Sequence, residues 1–272
     1  MLALHPRPVS LQSVRKSKRG PERGLSRPTF SPRKLSQANS SLLLVTQEVE
    51  ENVSDVLLKK QIQSPNVNVV VQKRRVPSEV ASLCRSLERV PDFTVSQELC
   101  TDTPDVSSLN FEAHLPEGPE LDAFCQELTA LVQNYGKLTG QRLAKVSVTL
   151  TRETTCSRLH IDHCGLRAMC TYHGLGTEWL GDELLNRLIA MSLRDGGNWL
   201  SDFLKTLVSP SSMVQAAEGD VVFLKGNKWP GNQGKAIVHR SPDMANASSI
   251  GVDPWRMVIK VDDDVHDDCS DA

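Results

Sequence analysis

The residue types best suited to chemistry are concentrated between positions 156 and 180, where histidines, cysteines and an aspartate occur close together. His160 and Asp162 form an H-x-D pair within a segment that predicts a β-strand. Alternate residues of a strand point to the same face, so both side chains can reach one metal ion. A third ligand must come from elsewhere, and His239 is the natural candidate because it ends an apolar, strand-like run at 236–238. The predicted metal site is therefore His160, Asp162 and His239.

Two imidazoles and one carboxylate on one side of an ion leave coordination positions open on the other side. This arrangement is typical of non-haem Fe(II) sites that react with oxygen. Imidazole also suits zinc, so the ligand set alone does not fix the metal. Cys164 falls on the ligand side of the predicted strand and His173 lies a few residues further on. Either could close a zinc shell, so a non-catalytic zinc-binding or metal-sensing module stays open as the alternative.

The sequence around these residues has the period of β-structure. From Gln141 onward apolar and polar residues alternate, which predicts a half-buried strand. Further strands are predicted at 158–164, 167–173, 213–217, 220–225, 236–240 and 256–261. Helices are predicted at 182–194 and 198–208. Many short strands joined by tight turns favour an α+β fold with a double-stranded β-helix core, a cupin-like jelly roll with flanking helices.

The predicted jelly-roll core covers residues 141–265, and residues 42–140 predict a layer of helices and strand that packs on it. A β-branched strand is expected at 66–73 and helices at 77–90 and 119–138. The second helix has one apolar face, formed by Leu121, Phe124, Cys125, Leu128, Leu131 and Val132.

The two ends differ from the middle in composition. Residues 1–41 are rich in Arg, Lys, Ser and Pro and contain a single acid, Glu22, so we expect them to be disordered. Three interpretations stay open: a plastid or mitochondrial transit peptide, a solvated basic tail, or an arm that binds nucleic acid weakly through phosphates. The acidic run that begins at Asp262 is expected to be solvated, with a disordered tail at 266–272.

Composition excludes several classes of protein. No apolar run approaches the roughly 20 residues of a membrane span, which predicts a soluble protein. The 7 cysteines are odd in number and lack framework spacing, which favours a reducing intracellular compartment. The chain has no phosphate-binding P-loop motif, no G-x-S-x-G elbow and no Cys-x-x-Cys pair. The expected partner is a small-molecule or peptide substrate that these residues do not identify.

Four motifs carry a resemblance to a known family. They are H-x-D at His160 to Asp162, T-Y-x-G-x-G-T-E-W at Thr171 to Trp179, K-G-x-x-W at Lys225 to Trp229, and H-R-S-P at His239 to Pro242. Together they resemble the uncharacterised family named domain of unknown function 1826. The match covers about Val67 to Asp262 and leaves both tails outside. The family has no agreed activity, so the resemblance implies a shared fold more than a reaction.

A more distant resemblance rests on the order of the residues. An H-x-D pair, a histidine about eighty residues later and a basic residue on the next strand resemble the 2-oxoglutarate and Fe(II)-dependent oxygenase superfamily. By this resemblance Arg256 would bind the distal carboxylate of 2-oxoglutarate, a task that suits a guanidinium fork. Asp253 is the alternative partner of Arg256, and Arg240 should point away from the site.

Three further residues are predicted to shape the pocket, each with a structural alternative. Glu178 lies in a glycine-flanked loop that could close over the site, or it could only stabilise that loop. Tyr172 and Trp229 could line the pocket, although core packing is the commoner role of a single aromatic residue.

Overall fold

The structure, a computed structural model, describes residues 45–197 and 199–263. The expectations for residues 1–41 and 266–272 therefore concern residues outside the described part. The α-helices are α1 (Asp55–Gln63), α2 (Ser78–Ser86), α3 (Pro119–Thr139), α4 (Glu183–Arg194) and α5 (Trp199–Thr206). Short 3-10 helices occupy Leu87–Arg89, Val106–Leu109, Phe111–Ala113, Pro210–Ser212, Met244–Asn246 and Ser248–Ile250. Among these described helices, none combines the length and the apolar character that crossing a membrane requires.

The strands form one large and one small sheet. The strands are β1 (Val45–Val49), β2 (Val67–Gln72), β3 (Phe93–Cys100), β4 (Leu143–Thr151), β5 (Leu166–His173), β6 (Glu178–Leu180), β7 (Met213–Gln215), β8 (Val221–Lys225), β9 (His239–Arg240) and β10 (Arg256–Asp262). The large sheet has the order β1-β2-β8-β5-β10-β4-β3, and the small sheet has the order β7-β6-β9. All pairings are antiparallel except that of β1 with β2.

From β4 onward the chain passes repeatedly between the two sheets. β5, β8 and β10 join the large sheet, whereas β6, β7 and β9 join the small one. This alternation winds a double-stranded β-helix, in which the ends of strands from both sheets meet. The predicted α+β fold with a jelly-roll core and flanking helices is confirmed.

Two of the predicted strands are much shorter than expected. The segment predicted as a strand at 158–164 contains only an isolated bridge between His160 and His239. The chain turns away after this bridge, because the carbonyl of Asp162 accepts a hydrogen bond from Asn227 N at 2.8 Å and that of Gly165 from Gly226 N at 2.9 Å. Of the strand predicted at 236–240, only β9 is regular.

Residues upstream of β4 supply helices and strands to the same body. β1 and β2 extend one end of the large sheet, and β3 forms its opposite edge. The predicted helices at 77–90 and 119–138 are present as α2 and α3. α3 buries its apolar face on the outer side of the sheet, where Phe124 contacts Tyr172 edge to face at 5.8 Å between ring centroids. Side chains alternate between the two faces along each strand, so the residues of the central strands that do not face α3 lie on the inner side of the large sheet.

The inner face of the large sheet has an apolar and a polar half. At the β2 and β8 end, one cluster joins the two sheets and consists of Val69, Val71, Trp179, Ala216, Val222, Leu224 and Ile237. On β10, Met257, Ile259 and Val261 belong to the outer core, so Val258 and Lys260 face inward. The inward residues of β3 and β4 are hydroxyl-bearing or charged. Because these groups cannot form an apolar core, a cavity lies between the sheets at this end.

Candidate metal centre

The structure brings the three predicted ligands together. One ligand atom from each of His160, Asp162 and His239 lies within 4.8 Å of the other two. The two histidines form the isolated bridge, with backbone hydrogen bonds of 3.0 and 3.1 Å and ring centroids 4.3 Å apart. Asp162 Oδ2 lies 3.4 Å from His239 Nε2, and Asp162 Oδ1 lies 3.9 Å from His160 Nε2. The short bridge therefore does the positioning that a long strand was expected to do.

The hydrogen bonds of the triad fix which atoms remain available to an ion. His239 Nδ1 lies 3.1 Å from the carbonyl of Ile237, and His160 Nδ1 lies 3.0 Å from that of Arg158. A carbonyl can only accept, so each Nδ1 carries a proton, and in the neutral imidazole each Nε2 presents a lone pair. Asp162 Oδ2 is buried and has no hydrogen-bond donor. Three acceptors thus face one another, and a cation is the group that fits between them.

Electrostatics hold two of the three side chains, His239 and Asp162, in forms that can bind a metal. Burial lowers the pKa of His239 to about 4, although the neighbouring Asp162 opposes this shift. Burial alone would raise the pKa of the Asp162 carboxyl, but Arg167 and His239 hold it below its usual range. For His160, burial is outweighed by the Cys156 thiol and the Asp162 carboxylate, so its pKa is raised. A neutral His239 and an ionised Asp162 are the protonation states that metal binding requires.

A buried arginine that was not predicted lies directly behind Asp162. The guanidinium of Arg167 donates to Asp162 Oδ1 and, at 2.8 Å, to Asp262 Oδ2. It therefore occupies one oxygen of the ligand carboxylate and leaves Oδ2 facing the histidines. Asp262 was expected to be solvated, but only 1% of it is exposed because it pairs with this arginine. The sequence pattern that could have predicted this position is the alternation on β5, where Arg167 shares a face with Met169 and Thr171.

The family-like motifs hold the triad in place. In K-G-x-x-W, the backbone N–H groups of Asn227 and Lys228 bind the carbonyls of Asp162 and Cys164. A Cβ at Gly226 would collide with the carbonyl of Cys164, so glycine is needed for this close approach. In H-R-S-P, Ser241 N donates to the carbonyl of Cys156 at 2.9 Å, which ties together the segments that carry the two histidines.

The three residues predicted to shape the pocket lie elsewhere. Tyr172 points to the outer face of the large sheet, because it alternates with the inward Thr171, and its hydroxyl accepts a hydrogen bond from Arg74 at 2.8 Å. Trp229 packs against the outer core, with Lys225 Nζ 5.4 Å from its ring centroid. Glu178 accepts a 2.8 Å hydrogen bond from Arg240, and Arg240 itself lines the cavity. Arg240 was expected to face away, but β9 is too short for regular alternation to apply.

Replacement of Tyr172 by phenylalanine tests its reassignment to the core. The change removes an acceptor from the partly buried Arg74, so we expect the free energy of unfolding to fall by roughly 1–2 kcal/mol. Metal affinity should stay unchanged, because the hydroxyl lies on the far side of the sheet. Chemical denaturation and metal titration of the variant measure both quantities. A loss of metal binding without loss of stability would return Tyr172 to the site.

Arg256 is a buried cation without a carboxylate partner among the described residues. Only 2% of it is exposed, Nη2 donates to Thr171 Oγ1 at 3.3 Å, and Nε has no partner. The proposed alternative partner, Asp253, instead lies 3.0 Å from His173 Nε2. Burial lowers the pKa of Arg256 to about 10, which reflects the unfavourable burial of its charge. Such a group is suited to receive an anion.

The residues suggested for a closed zinc shell do not join the triad. The only three-ligand grouping among the described residues contains neither Cys164 nor His173. Cys164 is buried, and burial raises the pKa of its thiol well above the usual range. His173 stacks on Trp255 at 3.9 Å between ring centroids. The triad therefore keeps three protein ligands.

A cavity of about 260 Å³ adjoins the triad. Arg256 does not line it, but Val258, the next residue on the same face of β10, does. Its lining residues are Thr94, Ser96, Lys145, Ser147, Thr149, Thr155, Cys156, His160, Arg167, Met169, Thr177, His239, Arg240, Ser241, Val258 and Lys260.

Comparison with known proteins identifies a family but no established activity. No curated protein matches this chain. Among solved structures, the rice dioxygenase for auxin oxidation is 12% identical with a TM-score of 0.45, over 80% of this chain and 82% of that one. The Arabidopsis thaliana dioxygenase for auxin oxidation 1, in a complex with 2-oxoglutarate, is 11% identical with a TM-score of 0.46, over 80% and 92%. A Pseudomonas putida prolyl-4-hydroxylase is 10% identical with a TM-score of 0.36, over 76% and 96%.

Identities this low and TM-scores below 0.5 do not establish a shared activity. The family comparison is of a different kind, because the model described as "Protein of unknown function (DUF1826)" matches residues 54–262. This range contains all four motifs, the triad, Arg167 and Arg256. The chain therefore belongs to the DUF1826 family, as its motifs predicted.

Proposed function

We propose that this protein is a non-haem Fe(II) and 2-oxoglutarate-dependent oxygenase that acts on a small-molecule or peptide substrate. The observation that carries the proposal is that three hydrogen-bond acceptors of the triad lie together with no hydrogen-bond donor between them. Two imidazole Nε2 atoms and the buried Oδ2 of Asp162 face one another, and a bound cation would satisfy all three. Two histidines and one carboxylate are the donor set that suits Fe(II) in oxygen chemistry.

The ligand count favours a reactive centre over a structural one. Structural zinc sites are closed by four protein ligands, whereas reactive sites keep positions for water or substrate. Here the described residues supply three ligands beside a cavity. The alternative of a zinc-binding or metal-sensing module has lost its proposed fourth ligands, Cys164 and His173.

Arg256 supports 2-oxoglutarate as the co-substrate. Its guanidinium is buried, lacks a carboxylate partner in the described chain and has an unsatisfied Nε–H. A guanidinium can bind a carboxylate through two parallel hydrogen bonds, and Thr171 beside it can add a hydroxyl. The carboxylate of a co-substrate would neutralise a charge that is otherwise buried alone.

The roles of the chain's own residues follow from this arrangement. When bound, Fe(II) and 2-oxoglutarate would supply the oxidising chemistry. His160, Asp162 and His239 hold the metal, and Arg167 keeps Asp162 turned so that Oδ2 faces it. Arg256, beside Thr171, anchors the co-substrate, and the cavity lined by Val258 on the same face of β10 receives the substrate.

Anaerobic Fe(II) titration of the full-length protein, with and without 2-oxoglutarate, tests the proposal. We expect Fe(II) to bind, and a visible charge-transfer band to appear only when both are present. Tight retention of zinc together with absence of the band would replace the oxygenase by the metal-binding module. Absence of binding by either metal would overturn both.

Replacement of Arg256 by methionine should have opposite effects on stability and on co-substrate binding. A shift of its pKa from 12.5 to about 10 corresponds to about 3 kcal/mol, so removal of the charge should stabilise the ligand-free protein by up to that amount. The same change should abolish the thermal stabilisation by 2-oxoglutarate of the metal-loaded protein. Thermal denaturation with and without 2-oxoglutarate measures both.

Two variants control for the loss of an arginine. Arg256→Lys retains the charge but not the fork, so it should keep part of the co-substrate effect. Arg152→Met removes a half-exposed arginine that pairs with Asp92 outside the cavity, and it should leave the effect intact. Equal stabilisation of wild type and Arg256→Met by 2-oxoglutarate would remove Arg256 from the site.

A further inference from the structure

The end of the cavity away from the triad is built by residues in register across three strands. In one row, Ser96 of β3 lies opposite Ser147 of β4, which lies opposite Lys260 of β10. In the next row, Thr94 lies opposite Thr149, and Thr149 opposite Val258. These residues all line the cavity, and we call them the β3–β4 arm.

A third row beside the arm carries its own balance of charge. Glu98 lies opposite Lys145, Lys145 opposite Asp262, and Asp262 opposite Arg167, which binds Asp162. The charges in this row therefore alternate in sign across the sheet, from the edge strand β3 to Asp162 of the triad. Opposite charges on neighbouring strands stabilise each other, so this row does not call for an external ion.

Lys260 stands outside this balance. Its neighbours in register are Ser147 on β4 and Met169 on β5, neither of which is charged. Among the described residues no carboxylate lies within ion-pair distance of its ammonium group, and no Asp or Glu lines the cavity. The charge of Lys260 helps to hold down the pKa of Asp162, but the two groups lie beyond ion-pair distance. A half-buried ammonium group without an ion pair of its own attracts an anion.

The hydroxyl groups of the arm have hydrogen-bond donors to spare. Ser96 Oγ and Ser147 Oγ are 2.9 Å apart, and Thr94 Oγ1 and Thr149 Oγ1 are 3.1 Å apart. Each pair contains two O–H donors, and the bond between the partners uses only one. Each pair can therefore offer one O–H to a ligand. With Lys260, the arm presents donors, which is the requirement for binding an anion.

The outer edge of the arm is too far from β5 to serve only the co-substrate. The strand order from β5 to the edge is β5-β10-β4-β3, and three spacings of about 4.8 Å make roughly 14 Å between β5 and β3. Thr94 and Ser96 are exposed on the edge strand β3, so the arm opens to solvent there. A ligand bound in it can extend outward and still lie beside the triad.

We propose that the β3–β4 arm is the substrate subsite and that it binds a hydrophilic substrate through an anionic group, a phosphate or a carboxylate. Lys260 neutralises the anion, and the two hydroxyl pairs donate hydrogen bonds to it. That the anion belongs to a substrate rests on the proposed oxygenase function. The anion site itself rests only on the residues of the arm.

Calorimetric titration of the metal-free, full-length protein with inorganic phosphate and with acetate, at constant ionic strength, tests the arm. Removal of metal prevents direct coordination of the probes. We expect Lys260→Met to weaken binding of the preferred probe roughly ten- to a hundredfold, as for a lost charge-assisted hydrogen bond. Ser96→Ala, at the exposed edge, should weaken it roughly two- to tenfold.

Two variants separate the arm from other sites. Lys60→Met removes an exposed lysine on α1 and should bind both probes like wild type. Arg256→Met removes the buried guanidinium, which can itself bind an anion, so only the probe binding that remains in this variant is assigned to the arm. Tighter binding of phosphate assigns a phosphorylated substrate, and tighter binding of acetate a carboxylated one. The proposal is overturned if neither probe binds, or if Lys260→Met and Ser96→Ala bind like wild type.

Failure of this subsite can be told apart from failure of the oxygenase proposal. If the protein binds Fe(II) and 2-oxoglutarate but the anion probes do not depend on Lys260, only the substrate class is wrong. If the probes depend on Lys260 but no Fe(II) binds, the arm remains an anion site and the oxygenase function falls.

Discussion

Replacing His239 with alanine should remove tight binding of divalent metal. The change deletes one of three protein ligands, and its Nε2 is the ligand atom nearest to Asp162 Oδ2, at 3.4 Å. The fall in affinity should exceed the roughly 10- to 100-fold that loss of an outer partner typically causes. Titration of the metal-free protein with Co(II), followed by its visible absorption, measures the affinity.

The matched control is His173→Ala. His173 is also a histidine at the end of a strand, but it stacks on Trp255 and lies beside Asp253. Its loss should leave the affinity for Co(II) within a few-fold of wild type. If both variants bound Co(II) like wild type, the triad would have no function in metal binding.

The triad could be predicted from the sequence because its residue types are typical metal ligands and two of them are only two positions apart. H-x-D places two ligand residues on one side of an extended segment whether that segment is a full strand or a short bridge. The prediction therefore survived although the strand at 158–164 did not form. His239 was predicted because few other histidines follow an apolar, strand-like run.

The surroundings of the triad were harder to predict because they depend on register. Arg167 and Asp262 are 95 positions apart and meet only because β5 and β10 pair in one particular alignment. A shift of either strand by one residue would turn its charged side chain to the other face and separate the pair. Nothing in the local sequence fixes that alignment, so Asp262 resembled the first residue of an acidic tail.

Tyr172 and Trp229 were assigned to the pocket although they belong to the core. Both lie within motifs that surround ligand residues, and aromatic side chains can serve a pocket or a core equally well. Alternation on β5 assigns Tyr172 to the outer core, and the K-G-x-x-W turn serves to hold the carbonyls of Asp162 and Cys164. Motif residues near a site can therefore act by positioning the backbone of its ligands.

Replacing Arg167 with methionine should produce the largest loss of stability among the variants considered. The change leaves the carboxylates of Asp162 and Asp262 buried without the cation that binds both, and exposure of these two residues is 7% and 1%. Removal of one partner from a buried ion pair typically costs about 3–5 kcal/mol, because the remaining charge is uncompensated. Chemical denaturation of the metal-free protein measures the loss.

Arg240→Met is the matched control, because Arg240 also lines the cavity and also binds a carboxylate, that of Glu178. Its side chain is 35% exposed, so solvent screens the pair and the loss should be no more than about 1 kcal/mol. A loss in Arg167→Met no larger than this would show that the two aspartates do not depend on the arginine for their charge.

Metal should stabilise Arg167→Met more than the control. A divalent ion that binds the folded protein stabilises it by an amount that grows with the logarithm of its affinity, and in Arg167→Met it also supplies the positive charge that Asp162 has lost. We therefore expect saturating Co(II) to raise the melting temperature of Arg167→Met more than that of Arg240→Met. Equal shifts would mean that the ion binds away from Asp162, and they would remove this carboxylate from the proposed ligand set.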